Sequence, residues 1–141
     1  MRLFLFALFT FILSTTTMLA QFEDHQWKHR LILIFADENG PTYLQQMDNL
    51  RADSAGLKDR DIRIYSIFSQ SSRPELSPSD RTLIRRKYNP DQLPFLVLLI
   101  GKDGGIKARK TDGYPRQEIF DLIDSMPMRQ AEMRRKKKGD G

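Results

Sequence analysis

Apolar residues in this chain gather into short strand-like runs separated by longer stretches of helical spacing. Residues Arg30–Ala36 (RLILIFA) form an aliphatic run with no polar break, which predicts a central strand buried on both faces. Asp37-Glu38-Asn39-Gly40 interrupts it, and Pro41 suits the first turn of a helix. Tyr43, Leu44, Met47, Leu50 and Leu57 recur at helical spacing, predicting a helix over 41–55 with Gly56 as its stop. Residues 61–68 (DIRIYSIF) read as a second strand whose loose alternation fits burial on both faces. The stretch 69–79, with two prolines and five serines, reads as a loop. Ser79 or Asp80 can then cap a helix carrying Leu83, Ile84 and Tyr88, and Asn89-Pro90 ends it. A third strand over 94–100 is opened by Pro94, a position where no ladder N–H is needed. Asp103-Gly104 is a strong hairpin signal leading to a fourth strand over 106–111. Tyr114-Pro115 opens a last helix with Ile119, Phe120, Ile123 and Met126 inward, and Pro127 reads as its end.

The resulting order is β-α-β-α-β-β-α. Strands separated by helices call for crossovers, and the terminal hairpin is antiparallel. A mixed sheet with helices on both faces resembles the thioredoxin-like fold. On that basis the Pro94 strand is expected to run parallel to Arg30–Ala36 and antiparallel to 106–111. The same likeness implies a cis Leu93–Pro94 bond and places the thioredoxin-type site at the start of the first helix, at Ala36 to Tyr43 of this chain.

Three segments together carry a narrower likeness: Trp27-Lys28-His29-Arg30-Leu31-Ile32-Leu33-Ile34-Phe35-Ala36, Leu98-Leu99-Ile100-Gly101-Lys102-Asp103-Gly104-Gly105, and Ile123-Asp124-Ser125-Met126-Pro127-Met128-Arg129. Through them the chain resembles the P-DUDES domain of bacterial exported proteins, a domain of unknown function. Similar modules occur in vertebrate extracellular proteins of the sushi-repeat and coiled-coil-domain-containing groups. The likeness covers residues 22–133. It implies a thioredoxin-like fold and an extracytoplasmic setting, and it brings no catalytic residues.

The ends of the chain modify this picture. Arg2 followed by an apolar run and then a small Ala20 has the layout of a secretory signal peptide over 1–20, so a periplasmic or secreted protein is expected. Residues 21–128 leave room for one domain, and they hold sixteen basic and sixteen acidic residues. The net positive charge of the exported chain therefore sits in 129–141, expected to be a disordered basic tail. In it, Arg134, Arg135, Lys136, Lys137 and Lys138 are candidates for binding polyanions such as acidic polysaccharide. No aromatic residue interleaves that run, so base stacking has no platform and no specific nucleic acid partner is expected.

The absence of cysteine excludes thiol redox catalysis, disulfide exchange and cysteine-bound zinc. Asp37 and Glu38 lie where the thioredoxin-type site would be. They read either as acids favoured by the helix N-terminus or as the carboxylates of a cysteine-independent enzyme. His25 and His29, the two histidines, are spaced i, i+4 but lack a third ligand, so no metal or other cofactor is expected. Trp27 is expected in the core. Pro94 reads as a turn into a strand, with peptide binding along that edge as the functional alternative. Taken together, the residues point to a redox-inactive binding or interaction module with a protein or polysaccharide partner. A surface adhesion element acting through the basic tail is the other non-enzymatic alternative.

Overall fold

The computed structural model describes residues 23–70 and 77–139. The expected signal peptide lies outside the described residues. Among the described residues, the main elements follow in chain order as β1 (Arg30–Ala36), α1 (Pro41–Arg51), α2 (Ser54–Asp59), β2 (Ile62–Phe68), α3 (Pro78–Tyr88), β3 (Leu96–Ile100), β4 (Ile106–Lys110), α4 (Arg116–Ser125) and α5 (Pro127–Gly139). The strands form one mixed sheet in the order β2-β1-β3-β4.

Strand β1 is buried along its whole length because it has a strand on each side and a layer of helix on each face. Alternate side chains serve the two faces. Ile32, Ile34 and Ala36 pack with Tyr43, Met47 and Leu50 of α1 and with Ile119, Phe120 and Ile123 of α4. Leu31, Leu33 and Phe35 pack with Ile84 and Tyr88 of α3. Each fully buried aliphatic or aromatic side chain contributes about 1.5–3 kcal/mol, so an unbroken apolar strand at this position anchors both cores. The thioredoxin-like architecture expected from the sequence is the one observed.

The strand directions correct one expectation. β1 and β2 are parallel, whereas β3 runs antiparallel to β1, with Phe35 opposite Leu96 and Leu31 opposite Ile100. β2 ends beside Ala36, and β3 begins at that same end of the sheet. The connection through α3 therefore leaves and returns at one end, which reverses the strand. β3 then pairs antiparallel with β4 as expected. The hairpin closes with Gly101 N–H donating to the Gly105 carbonyl at 2.9 Å, and Gly104 sits at φ +82°, a conformation that glycine adopts without cost.

Pro94 is also corrected. The described residues contain no cis peptide bond, and Pro94 lies in an exposed bend two residues before β3. What holds that bend is Asn89. Its buried side-chain amide donates to the Leu93 carbonyl and accepts from the Leu93 N–H, both at 2.9 Å.

The expected helix over 41–55 breaks after Arg51. Asp53 restarts the chain as α2 by accepting from the Gly56 N–H at 2.8 Å. Gly56 is thus inside a helix and not its stop. A Cβ there would stand 2.4 Å from the Asp53 carboxylate and 2.7 Å from the Phe120 ring, so close approach explains the glycine.

The largest correction concerns the C-terminus. Residues 127–139, expected to be mostly a disordered tail, form helix α5. Met126 is extended, as the residue before a proline tends to be, and Pro127 starts a new helix where it was expected only to end one.

Candidate functional site

Helix α5 is docked by charge. Its Arg129 side chain is only 3% exposed; its Nε donates to Asp124 Oδ1 at 3.1 Å and its Nη1 to the Asp59 carbonyl at 2.9 Å, and it also pairs with the Asp59 carboxylate. One turn on, Glu132 accepts from both terminal nitrogens of Arg30 at 3.3 Å and from Lys102 at 2.7 Å. Arg30 opens β1 and is 1% exposed, and Lys102 follows β3 and also pairs with Asp61 at 2.8 Å. Arg60 completes the cluster through a fork to Asp124 at 2.6 and 3.1 Å, with its guanidinium 4.0 Å from the centre of the Phe120 ring.

Burial alone would push the Glu132 and Asp124 carboxyls up. Hydrogen bonds from Lys102 and Arg30 to Glu132, and from Arg60 and Arg129 to Asp124, hold both below the usual carboxylate range instead. Asp59 is held low chiefly by Lys136, with Arg129 adding to it against the effect of burial.

This docking sorts the basic run. Arg129, Glu132 and Lys136 stand at i, i+3 and i+7 and share the inner face of α5, where Lys136 pairs with Asp59. Arg134, Lys137 and Lys138 stand at i, i+3 and i+4 on the opposite face, with Arg135 at its margin, and all four are exposed. All five cations singled out in the sequence are exposed; Lys136, at 57%, pairs with Asp59 at the helix edge, and the other four face solvent. The docking residues Arg30, Lys102, Arg129 and Glu132 carried no expectation of their own. The sequence signal that marks them is the pairing of Arg129 with Glu132 three residues later, just after a proline able to start a helix.

The β1–α1 turn forms an open polar hollow lined by Asp37, Glu38, Asn39, Gly40, Ser69 and Gln70. Ser69 donates to Asp37 Oδ1 at 2.9 Å. Pro94 belongs to the same end of the sheet but does not line this hollow, and no histidine or lysine lines it. Among the described residues, the two carboxylates expected to mark an enzyme are therefore placed together with the Ser69 hydroxyl and with no histidine or lysine beside them.

At the opposite end, the segment before β1 folds against the sheet. His25 Nδ1 stands 3.0 Å from His29 Nδ1, and His25 Nε2 stands 2.5 Å from the Tyr65 hydroxyl. Trp27, between them, is 64% exposed and not in the core. Its φ of +67° turns the backbone over, and its N–H donates to the Lys102 carbonyl at 2.6 Å. Among the described residues, no group of three or more His, Asp or Glu side chains converges as a metal site. No described helix is long and apolar enough to cross a membrane.

Known structures share the fold. The reduced 2-Cys peroxiredoxin of Plasmodium vivax superposes with a TM-score of 0.59 at 13% identity, covering 77% of this chain and 83% of that one. The pneumococcal exposed lipoprotein thioredoxin of Streptococcus pneumoniae strain TIGR4 gives 0.53 at 10% identity, over 74% and 90%. In sequence, coiled-coil domain-containing protein 80 of Danio rerio is 28% identical over 129 residues, which is 77% of this chain. The chain spans 15% of that relative's length. The family model described as a domain of unknown function (DUF4174) matches residues 21–132, a range that takes in both Arg129 and Glu132 of the docked helix, and the chain belongs to that family.

Proposed function

We propose that this chain is a redox-inactive, thioredoxin-like binding module that works outside the cytoplasm and engages acidic polysaccharide through the outer face of α5. The observation that carries the reading is the sorting of α5: inward charges are consumed by partners, while Arg134, Arg135, Lys137 and Lys138 are held exposed on one helix. A folded helix presents these charges without the ordering cost that a disordered tail would meet on binding. The lack of cysteine supports a binding role over thiol chemistry. The extracytoplasmic setting is supported by the apolar N-terminal run, by the P-DUDES likeness at Met126-Pro127-Met128-Arg129, and by the likeness of fold to an exposed lipoprotein thioredoxin.

The test is retention on a heparin column of the chain from Gln21 onward, beside a variant carrying Arg134→Gln, Arg135→Gln, Lys137→Gln and Lys138→Gln. Arg129, Glu132 and Lys136 stay intact, so α5 stays docked. The variant should elute at a markedly lower salt concentration, because exposed charges act through screened electrostatics. Equal elution of the two proteins would show that α5 is not the anion-binding element.

A further inference from the structure

We propose that His25 and His29 form an open, two-point site for a divalent transition-metal ion, with Tyr65 orienting the first imidazole from outside the coordination shell. The two Nδ1 atoms are hydrogen-bonded at 3.0 Å, and an ion binding both lone pairs would displace the proton between them to His29 Nε2. Two imidazole nitrogens bound to one ion at about 2.0–2.1 Å stand roughly 2.9 Å apart at a right angle and about 3.3 Å apart at the tetrahedral angle. The observed separation falls between these, so slight ring rotations bring both lone pairs onto one ion. The ring planes stand at 80°, with centroids 5.0 Å apart, and neither ring blocks the other.

The far nitrogen of His25 supports the assignment. Nε2 is engaged by the Tyr65 hydroxyl, which leaves Nδ1 as the coordinating atom when Nε2 carries the proton. Metal-bound histidines characteristically have such a partner on the second nitrogen, where it fixes tautomer and ring orientation. The surrounding charges are mixed: Arg63, Lys28 and Lys102 against Asp24 and Asp61. Both histidines are half-buried, and His29 also lines a hollow with Asp61, Ser54 and Lys58, so water or an exchangeable ligand can reach the pair. Imidazole donors select zinc and copper over magnesium and calcium, with copper(II) held tightest.

The chain supplies its own reporter. Trp27 is its single tryptophan and lies two residues from each histidine. Copper(II) bound at the pair should quench Trp27 emission and should saturate at one ion per chain. The experiment titrates Cu²⁺ and then Zn²⁺ into the chain from Gln21 onward, free of any added histidine tag, with Ca²⁺ as the control ion. His25→Ala and His29→Ala should each weaken binding at least tenfold, with folding checked by circular dichroism. Tyr65→Phe keeps both imidazoles and should weaken it by about 10–100-fold, the usual effect of losing an outer-shell partner. Unsaturable uptake, or quenching that persists in the double histidine variant, would overturn the site. An unchanged affinity in Tyr65→Phe would overturn the orienting role of Tyr65.

Discussion

Glu132→Gln is the substitution that most directly probes how α5 is held. The carboxylate is 14% exposed and receives three charge-assisted bonds, two from Arg30 at 3.3 Å and one from Lys102 at 2.7 Å. Glutamine keeps the shape and one acceptor oxygen but removes the charge and turns an NH₂ toward a guanidinium or ammonium. Arg30 would retain the Arg60 carbonyl at 2.9 Å, and Lys102 would retain Asp61. Removing one member of a buried pair costs about 3–5 kcal/mol, against about 0–1 kcal/mol for an exposed pair. Because both cations keep a second acceptor, the expected loss is at the lower end, about 3 kcal/mol. For a domain of this size that corresponds to a fall of roughly 10 °C in Tm. Urea unfolding in 0.15 M and in 1 M NaCl measures it, and the loss should persist at high salt because the pair is shielded from mobile ions. A double-mutant cycle with Arg30→Met separates the pair from its surroundings. A loss below about 0.5 kcal/mol, or one that vanishes in salt, would refute burial as the source of the strength.

Three further outcomes are expected. Glu132, Asp124 and Asp59 all have folded pKa values below their unfolded ones, so their contribution is complete above about pH 4.5 and is lost as pH falls through the folded values. The urea midpoint should therefore hold near neutrality and drop below that point, less steeply in Glu132→Gln. Asn89→Ala removes both bonds to Leu93 and should cost about 1–3 kcal/mol in the same assay, whereas Pro94→Ala, at an exposed trans position, should change stability by no more than about 0.5 kcal/mol. Trp27→Gly should leave stability equal or raise it by about 1 kcal/mol, since glycine relieves the left-handed backbone; a clear loss in a thermal melt would show that the exposed indole has a packing role.

The elements that were legible in the sequence are those whose cause is local. An unbroken run such as Leu31 to Phe35 can only be buried, and Asp103-Gly104 can only be a turn, so the sheet and its hairpin followed from pattern. Strand direction is different. Whether the segment after α3 returns to the near or far end of the sheet is settled by its long-range pairing with β1, and the Asn89 clamp on Leu93 that shapes the turn leaves no mark on the hydrophobic pattern. Trp27 was misplaced for a related reason: its exposure follows from a positive φ fixed by a bond to the distant Lys102 carbonyl.

The basic C-terminus shows the same limit from the side of charge. Summed along the chain, residues 129–141 are an excess of cations, and an excess of cations reads as solvated. Paired in space, they divide into two populations with different physical roles. Arg129, Glu132 and Lys136 have partners on β1, on α4 and in the segments around 59–61 and 102, contributed from 30 to 124 in the sequence. No count of local charge can reveal that Lys136 is committed while its neighbours Arg135 and Lys137 are not; helical periodicity separates them only once the helix is known to be docked. Docking also fixes the placement of the remainder. With its inner charges neutralised, α5 keeps a fixed outer face, and a charge-balanced domain acquires one rigid, directional cationic surface.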